Sequence, residues 1–341
     1  MVITKPGYFD RFRCLAGHCP DSCCKDWEVQ VDGDAAAFYR QLHGALGDDL
    51  RRCLRDENEE TYMTISDGRC PMWQRDGLCR IQAELGEAAL CKTCREFPRL
   101  THDYGDFVEQ GLELSCPEAA RLILNEPTIF VTEERPGNGE AEYDTEAMEI
   151  LKATRQKALA LISNTDRSMG QTLALLLLYG CQAQGELDGG EAAPFDGNTA
   201  LETARELAQP GDAVEIIPFF QSLEILTDTW EARLRSPAPG DWDCRTMALA
   251  RYFVNRYWLQ AVSDYDLYSR VKFMVIACLL LRELGGDFEQ TAQLFSKEIE
   301  NDAGNMDALL DAAYEHPAFT DARLLGMLLQ SVGEGHLSRV T

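Results

Sequence analysis

The sequence predicts a mainly α protein in which a small Cys-rich α+β metal-binding N-terminal module packs on an all-helical C-terminal domain. Three observations lead there. Ten of the 13 cysteines lie at or before Cys116, and only Cys181, Cys244 and Cys278 lie beyond it. From Thr145 onward apolar residues recur at three- and four-residue spacing, the period of a helix with one buried face. No glycine-rich G-x-G-x-x-G follows a strand-like run, so the nucleotide fingerprint of a doubly wound sheet is missing. A length of 341 residues suits about two domains, because chains beyond roughly 250–300 residues usually divide. The expected division is a cysteine-rich metal or iron–sulfur module over 1–125, an acidic linker or loop over 126–145, and a helical domain over 146–341.

In chain order, short strand-like pieces are expected at Trp27–Val31, Tyr62–Ile65 and Phe107–Leu114, and helices at Ala35–Leu46, Glu84–Thr93 and Pro117–Asn125. Between Glu126 and Glu146 the run Thr132-Glu-Glu-Arg-Pro-Gly-Asn-Gly-Glu has Pro, two Gly and many acids without hydrophobic periodicity, the composition of an exposed connection. Thr145 to Gln182 reads as two helices broken near Ser168 to Gly170, and Gly185 to Asn198 as a Gly/Asp-rich loop. Further helices are expected at Thr199–Ala208, Ile216–Leu234, Arg245–Ser263, Tyr265–Glu283, Phe288–Glu300, Met306–Tyr314 and Asp321–Leu337, with breaks such as Ser236-Pro-Ala-Pro-Gly and Gly285-Gly286 between them. No repeat of 20–50 residues stands out.

Charge narrows the function classes. The chain carries 32 Lys and Arg against 57 Asp and Glu, a net charge of −25. Residues 1–125 hold −7 of this and residues 126–341 hold −18. Such a surface disfavours nucleic acid, which is bound by displacing counterions with Lys and Arg, and favours a cationic partner. The longest apolar runs, Phe273 to Leu281 and Leu173 to Tyr179, are far short of the roughly 20 residues of a membrane span and read as buried helix interiors. The first residues lack the apolar core of a secretion signal, so a cytoplasmic protein with reduced thiols is expected.

The chemistry is concentrated in the cysteines. One block is Cys14-Leu-Ala-Gly-His-Cys19-Pro-Asp-Ser-Cys23-Cys24, and the other comprises Cys70-Pro, Cys79 and Cys91-Lys-Thr-Cys94; Cys116-Pro completes the set. A C-x2-C pair turns both sulfurs toward one centre, where thiolates from elsewhere close a tetrahedral zinc site or a cubane iron–sulfur cluster. Cys-Pro, at Cys70-Pro71 and Cys116-Pro117, is a frequent setting for a cluster thiolate, because proline removes a competing backbone donor and fixes the exit of the chain. Pro117 also reads as the first residue of a helix, whose positive end favours a Cys116 thiolate. The candidate metal ligands are therefore Cys14, Cys19, Cys23, Cys24, Cys70, Cys79, Cys91, Cys94 and Cys116. Cys53 reads as incidental, and Cys181, Cys244 and Cys278 as buried thiols on apolar helical stretches. His18 and His102 are substitute ligands or neighbours of the site. Spacing alone leaves both iron–sulfur and zinc open, since the chain has one C-x2-C unit where zinc fingers commonly pair two.

These residues resemble the flagellin lysine-N-methylase family, within a wider group of zinc- or iron-chelating proteins recognised by a cysteine-rich motif ending in a double Cys. The resemblance rests on Cys14-x4-Cys19-Pro-Asp-Ser-Cys23-Cys24-Lys-Asp-Trp, Arg69-Cys70-Pro-Met, Asp76-Gly-Leu-Cys79-Arg-Ile, Leu90-Cys91-Lys-Thr-Cys94-Arg-Glu-Phe-Pro-Arg and Leu114-Ser-Cys116-Pro-Glu-Ala-Ala, and covers about residues 8–125. It implies methylation of lysine ε-amines on a protein such as flagellin, with S-adenosylmethionine as methyl donor and a [4Fe-4S] cluster as cofactor, zinc being the alternative. The chain departs from radical versions of this chemistry: Cys19-x3-Cys23 is followed at once by Cys24, so no C-x3-C-x2-C motif is present. The acids nearest the cysteines are Asp21, Asp26 and Glu28, and the sequence names no catalytic base among them. The other class of function is a non-catalytic zinc- or iron-chelating or adaptor protein.

Overall fold

The computed structural model describes residues 1–137 and 139–330. Its elements in chain order are β1 (Val2–Pro6), β2 (Val29–Val31), α1 (Gly33–Gln41), α2 (Ala45–Cys53), β3 (Leu54–Glu57), β4 (Glu60–Met63), α3 (Arg80–Leu85), α4 (Lys92–Glu96), β5 (Arg99–Asp103), β6 (Phe107–Leu112), α5 (Pro117–Asn125) and β7 (Phe130–Glu134), followed by ten helices. Those are α6 (Thr145–Ile162), α7 (Met169–Leu187), α8 (Gly197–Leu207), α9 (Ile217–Gln221), α10 (Asp228–Arg235), α11 (Thr246–Tyr257), α12 (Leu267–Leu284), α13 (Phe288–Phe295), α14 (Ala303–Glu315) and α15 (Asp321–Leu329). The protein is mainly α, and among the described residues every strand precedes Thr145.

Two small sheets organise the N-terminal part. The first has the order β5-β6-β1-β7: β5 and β6 form an antiparallel hairpin, β1 runs parallel to β6 with Val2 opposite Phe107, and β7 closes the other side of β1 antiparallel. The second is the antiparallel β2-β4-β3, in which the β3–β4 turn places both Asn58 and Glu59 at positive φ, the conformation that follows the twist of a tight hairpin. Strand β7 lies inside the stretch read from sequence as an exposed connection. Four of its five side chains are solvent-facing and two are acidic, so no buried alternation marks the strand in the sequence.

The helical half is built on α12, whose residues are buried all round, as a helix apolar on every face must be. It starts at an Asp266 cap and stops at Gly285, whose φ of 61° suits glycine. It crosses α7 at Gly180, where a Cβ would lie 2.6–2.9 Å from Val271, so the two backbones meet at a distance only glycine allows. The break expected near Ser168 is present: Ser168 and Gln171 form a reciprocal capping box that starts α7. Several long helices expected from periodicity are divided. Ala35–Leu46 ends at Gln41 and restarts at Ala45 after Gly44, and Ile216–Leu234 becomes α9 and α10. The final helix is described to Leu329, and its expected continuation over 331–337 lies outside the described residues.

One apolar core runs from Tyr8, Phe9 and Phe12 through Leu112–Leu124 into all the long helices, and a second joins β2, α1, α2 and the Cys70–Cys91 region. No helix among the described residues is long and apolar enough to cross a membrane.

Candidate metal centre and adjoining pockets

All 13 cysteines are free thiols. The nine candidate ligands sit on loops and helix starts: Cys19 ends the short helix Ala16–His18, and Cys79, Cys91 and Cys116 each occupy the position just before a helix, α3, α4 and α5. Backbone groups tie the loops together. The Cys70 N–H donates to the Cys24 carbonyl at 2.7 Å. Gly77 has φ 82° and meets Gly17 so closely that a Cβ would lie 2.8 Å from the Gly17 Cα, which locks the Cys14–Cys19 loop onto the loop before Cys79.

The thiols fall into two sets of neighbours. Cys116 feels Cys19 and Cys14, and Cys23 feels Cys14 and Cys116. Cys70 and Cys79 both feel Cys24; Cys79 also feels Cys91, and Cys94 feels Cys91, Cys24 and Cys23. The adjacent residues Cys23 and Cys24 join the sets. Backbone donors also point at the sulfurs, from Met72 to Cys70, from Ile81 and Gln82 to Cys79, and from Glu118 and Ala119 to Cys116. Such donors stabilise a thiolate and tune a metal bound to it. In two places one thiol hydrogen-bonds the next. The bond from Cys23 brings Cys24 down to about 7 against the burial that opposes it, and the bond from Cys94 does the same for Cys91, again to about 7, while Cys23 and Cys94 are pushed up.

Among the described residues no three His, Cys, Asp or Glu side chains converge in a geometry that holds a metal ion. Four of the nine thiols approach as two hydrogen-bonded pairs, Cys23 with Cys24 and Cys91 with Cys94. The donor set fits a thiophilic metal or cluster in its chemistry, with soft sulfurs, backbone donors aimed at them and no disulfide competing.

The other cysteines divide differently from expectation. Cys278 is buried in α12 as read, but Cys181 and Cys244 are exposed: Cys181 lies on the outer side of α7, and Cys244 on the turn before α11. Cys53 is half-buried against the second core and within electrostatic reach of Cys70. His18 is exposed beside Cys19, whereas His102 is on β5 and faces a separate pocket.

The acids near the cysteines also have defined roles. Glu28 is ion-paired with Arg55. Asp21 and Asp26 receive Lys297, whose ammonium lies 3.2 Å from Asp21 Oδ2 and 2.8 Å from Asp26 Oδ2, with the Trp27 ring 4.8 Å away. Lys297 is 1% exposed and sits in a π-helical turn, Ser296–Glu300, that extends α13. Gln293, one turn before it, donates to both Asp21 and the Ser115 carbonyl, which brings the double-Cys loop and the Cys116 helix start onto α13. Burial pushes the Asp21 carboxyl up, but the hydrogen bond from Lys25 and the charges of Lys297 and Lys25 outweigh it and hold the group below its usual range. Lys297 carried no sequence signal, since a lone lysine in an amphipathic helix reads as solvated.

Two concavities flank this assembly. A cleft of about 710 Å³ is bounded by Pro20–Asp26, Pro117, residues 226–229 and α13. The carboxylates of Asp21, Asp26, Asp228, Asp287 and Glu289 line it. Of its three cations, Lys25 and Lys297 are paired with Asp21 and Asp26, and Arg233 is bonded to the Gly285 carbonyl and Thr291. A second pocket, of about 260 Å³, lies between the four-stranded sheet and helices α6 and α11.

Comparison with known proteins gives three relatives. The chain is 33% identical over 142 residues to a lysine-N-methylase of Salmonella typhimurium, a match covering 40% of this chain and 35% of that protein. A lysine-N-methylase of Salmonella choleraesuis matches at 32% with the same coverage. The flagellar biosynthetic protein FliU of Salmonella muenchen is 33% identical over 142 residues, and there the match covers 84% of the relative. The chain thus spans about a third of the length of the two lysine-N-methylases it matches. No family model and no solved structure matches.

Proposed function

We propose that this chain, which belongs to the flagellin lysine-N-methylase family, is a protein-lysine N-methyltransferase that moves a methyl group from S-adenosylmethionine to a lysine ε-amine of a protein acceptor, flagellin being the first to test. Beyond the relatives' names, the observation that carries the reading is the acid-lined cleft against the cysteine loops. Its lining carries five carboxylates against three cations, so attraction to a lysine ammonium is built in.

The transfer itself requires the amine to be neutral. Its lone pair forms the N–C bond as the C–S bond to the sulfonium breaks, the thioether leaves, and the resulting ammonium gives its proton to water. Asp21 and Asp26, tied to Lys25 and Lys297, act here as binding groups and not as bases. Neighbouring carboxylates hold an entering lysine as its ammonium, so a proton must leave it before the transfer.

A [4Fe-4S] cluster, with zinc as the alternative, would be held by members of the set Cys14, Cys19, Cys23, Cys24, Cys70, Cys79, Cys91, Cys94 and Cys116, and would supply a redox-active, Lewis-acidic centre beside the cleft. The chain's own contribution is to hold these loops on α13 through Gln293 and Lys297.

The test is anaerobic purification, metal and sulfide analysis, and incubation with methyl-labelled S-adenosylmethionine and flagellin. Label on acceptor lysines, with iron and sulfide in the protein and both lowered by Cys94→Ser and Cys116→Ser, is expected. A colourless zinc protein that leaves the acceptor unlabelled would instead favour the chelating or adaptor reading. Metal content and activity untouched by both substitutions would remove these thiols from the ligand set.

A further inference from the structure

The two walls of the acidic cleft hang on consecutive residues of one helical turn. One wall is the loop over residues 20–26, which follows Cys19 and carries Cys23 and Cys24; the other is the stretch 226–229 that leads into α10. Lys297 holds the first wall through Asp21 and Asp26. Glu298 holds the second: its carboxylate accepts the Leu226 N–H at 2.8 Å and the Thr227 hydroxyl at 2.5 Å. Both side chains are 1% exposed. Asn305 braces the same wall, donating to the Glu224 and Glu298 carbonyls at 2.8 and 2.9 Å.

Both anchors lie in the π-helical turn Ser296–Glu300, an irregularity that proteins place preferentially at functional sites. Successive residues of a helix point about 100° apart, so the neighbours Lys297 and Glu298 reach different sides of the cleft. A buried charge stripped of its partner is costly, so each wall is bound to move with the turn.

The first wall is also part of the metal-binding loop. Asp21 lies between Cys19 and Cys23, and Asp26 two residues after Cys24. Within that loop the Cys19 thiol donates to the Asp21 carbonyl, and the Cys23 thiol to Cys24. Both bonds need a thiol proton, which a metal-bound thiolate lacks. Metal binding therefore exchanges internal bonds of the loop for links to the other cysteine segments. Pinning the loop at its cysteines removes freedom from the carboxylates between and beside them. An acceptor then orders less chain as it binds, and affinity rises by what is saved.

We propose that metal loading of the cysteine loops tightens acceptor binding in the acidic cleft, and that Lys297 and Glu298 carry the coupling from the loop wall to the 226–229 wall. This adds regulation to the methyltransferase reading above and rests on it for the acceptor, a lysine-bearing segment. An acceptor is then retained chiefly by the chain that is equipped to modify it.

The experiment is calorimetric titration of the full chain with a short lysine-rich peptide, without S-adenosylmethionine. One sample is loaded anaerobically with iron and sulfide, or with zinc where no cluster forms, and the other is stripped by a chelator. A gain in affinity of about fivefold or more on loading is expected, the low end of coupling between sites. Glu298→Gln contacts no cysteine but sets an amide donor against the donors of the second wall. It should keep its metal and show less than half of that gain. Equal affinities of the two forms of the unaltered chain, or a gain unchanged in Glu298→Gln, would overturn the proposal. Peptide bound by neither form would overturn both the coupling and the cleft as acceptor site. Labelling of flagellin by the loaded chain is scored separately, so the coupling can fail while the methyltransferase reading stands. Should the stripped chain or the variant fold poorly, the reciprocal measurement on the unaltered chain decides. Saturating peptide should raise the chelator concentration that removes half of the metal, and an unchanged concentration would overturn the coupling.

Discussion

Lys297 is the residue on which the juncture between cysteine loops and helices turns. Its ammonium is almost wholly removed from water and is held by two carboxylates and a tryptophan face, all from the segment that carries the double Cys. Lys297→Met keeps the bulk and removes the charge, leaving Asp21 and Asp26 partly exposed with Lys25 alone as counterion. Breaking a buried pair costs about 3–5 kcal/mol, and the partial exposure of both carboxylates brings the expected loss to about 2–3 kcal/mol, measurable as a fall in the urea midpoint. Metal content should fall with it, because the loop bearing Cys19, Cys23 and Cys24 loses its anchor. The sequence could not show this. It marked Asp21 and Asp26 only as acids near the cysteines, and their partner lies some 270 positions away. His102 shows the reverse case: its residue type suggested a ligand, and only the β5–β6 hairpin reveals that it faces another pocket.

Elements were legible where local chemistry is strong. Pro117 after Cys116 starts α5, Ser168 with Gln171 starts α7, and the unbroken apolar run in α12 announces a helix with no exposed face. Legibility failed where pairing comes from distant chain. Strands β1, β3, β5 and β7 are short, and β7 is mostly exposed, so its place is set by hydrogen bonds to β1 and not by its own pattern. The crossing of α7 and α12 gives a sharp test. Gly180→Ala drives a Cβ into Val271, a side chain stiff about χ1, and should cost about 1–3 kcal/mol. Val271→Ala in the same chain should return part of that loss, seen as a non-additive double-mutant cycle in denaturant.

At the scale of the whole molecule the charge is the dominant property. A net charge of −25 surrounds a cleft lined by five carboxylates and three cations, so a basic acceptor is gathered by a long-range field as well as by contacts. That field is screened over about 10 Å at 0.1 M salt. Raising the ionic strength from about 0.05 to 0.3 M should therefore raise KM for a lysine-rich acceptor by about threefold or more while leaving kcat little changed. A KM that is flat with salt would show that the acidity serves solubility alone.

The parallel pairing of β1 with β6 has a consequence in time. Val2 sits opposite Phe107, so the first strand can be completed only after more than a hundred further residues exist. At the usual 5–20 residues per second the ribosome leaves β1 unpaired for roughly 5–20 s. In that interval eight of the nine candidate thiols have already emerged, and the ninth, Cys116, follows the strand that ends the wait. Pairing β1 with β6 and presenting the last sulfur thus fall together, about a third of the way along the chain.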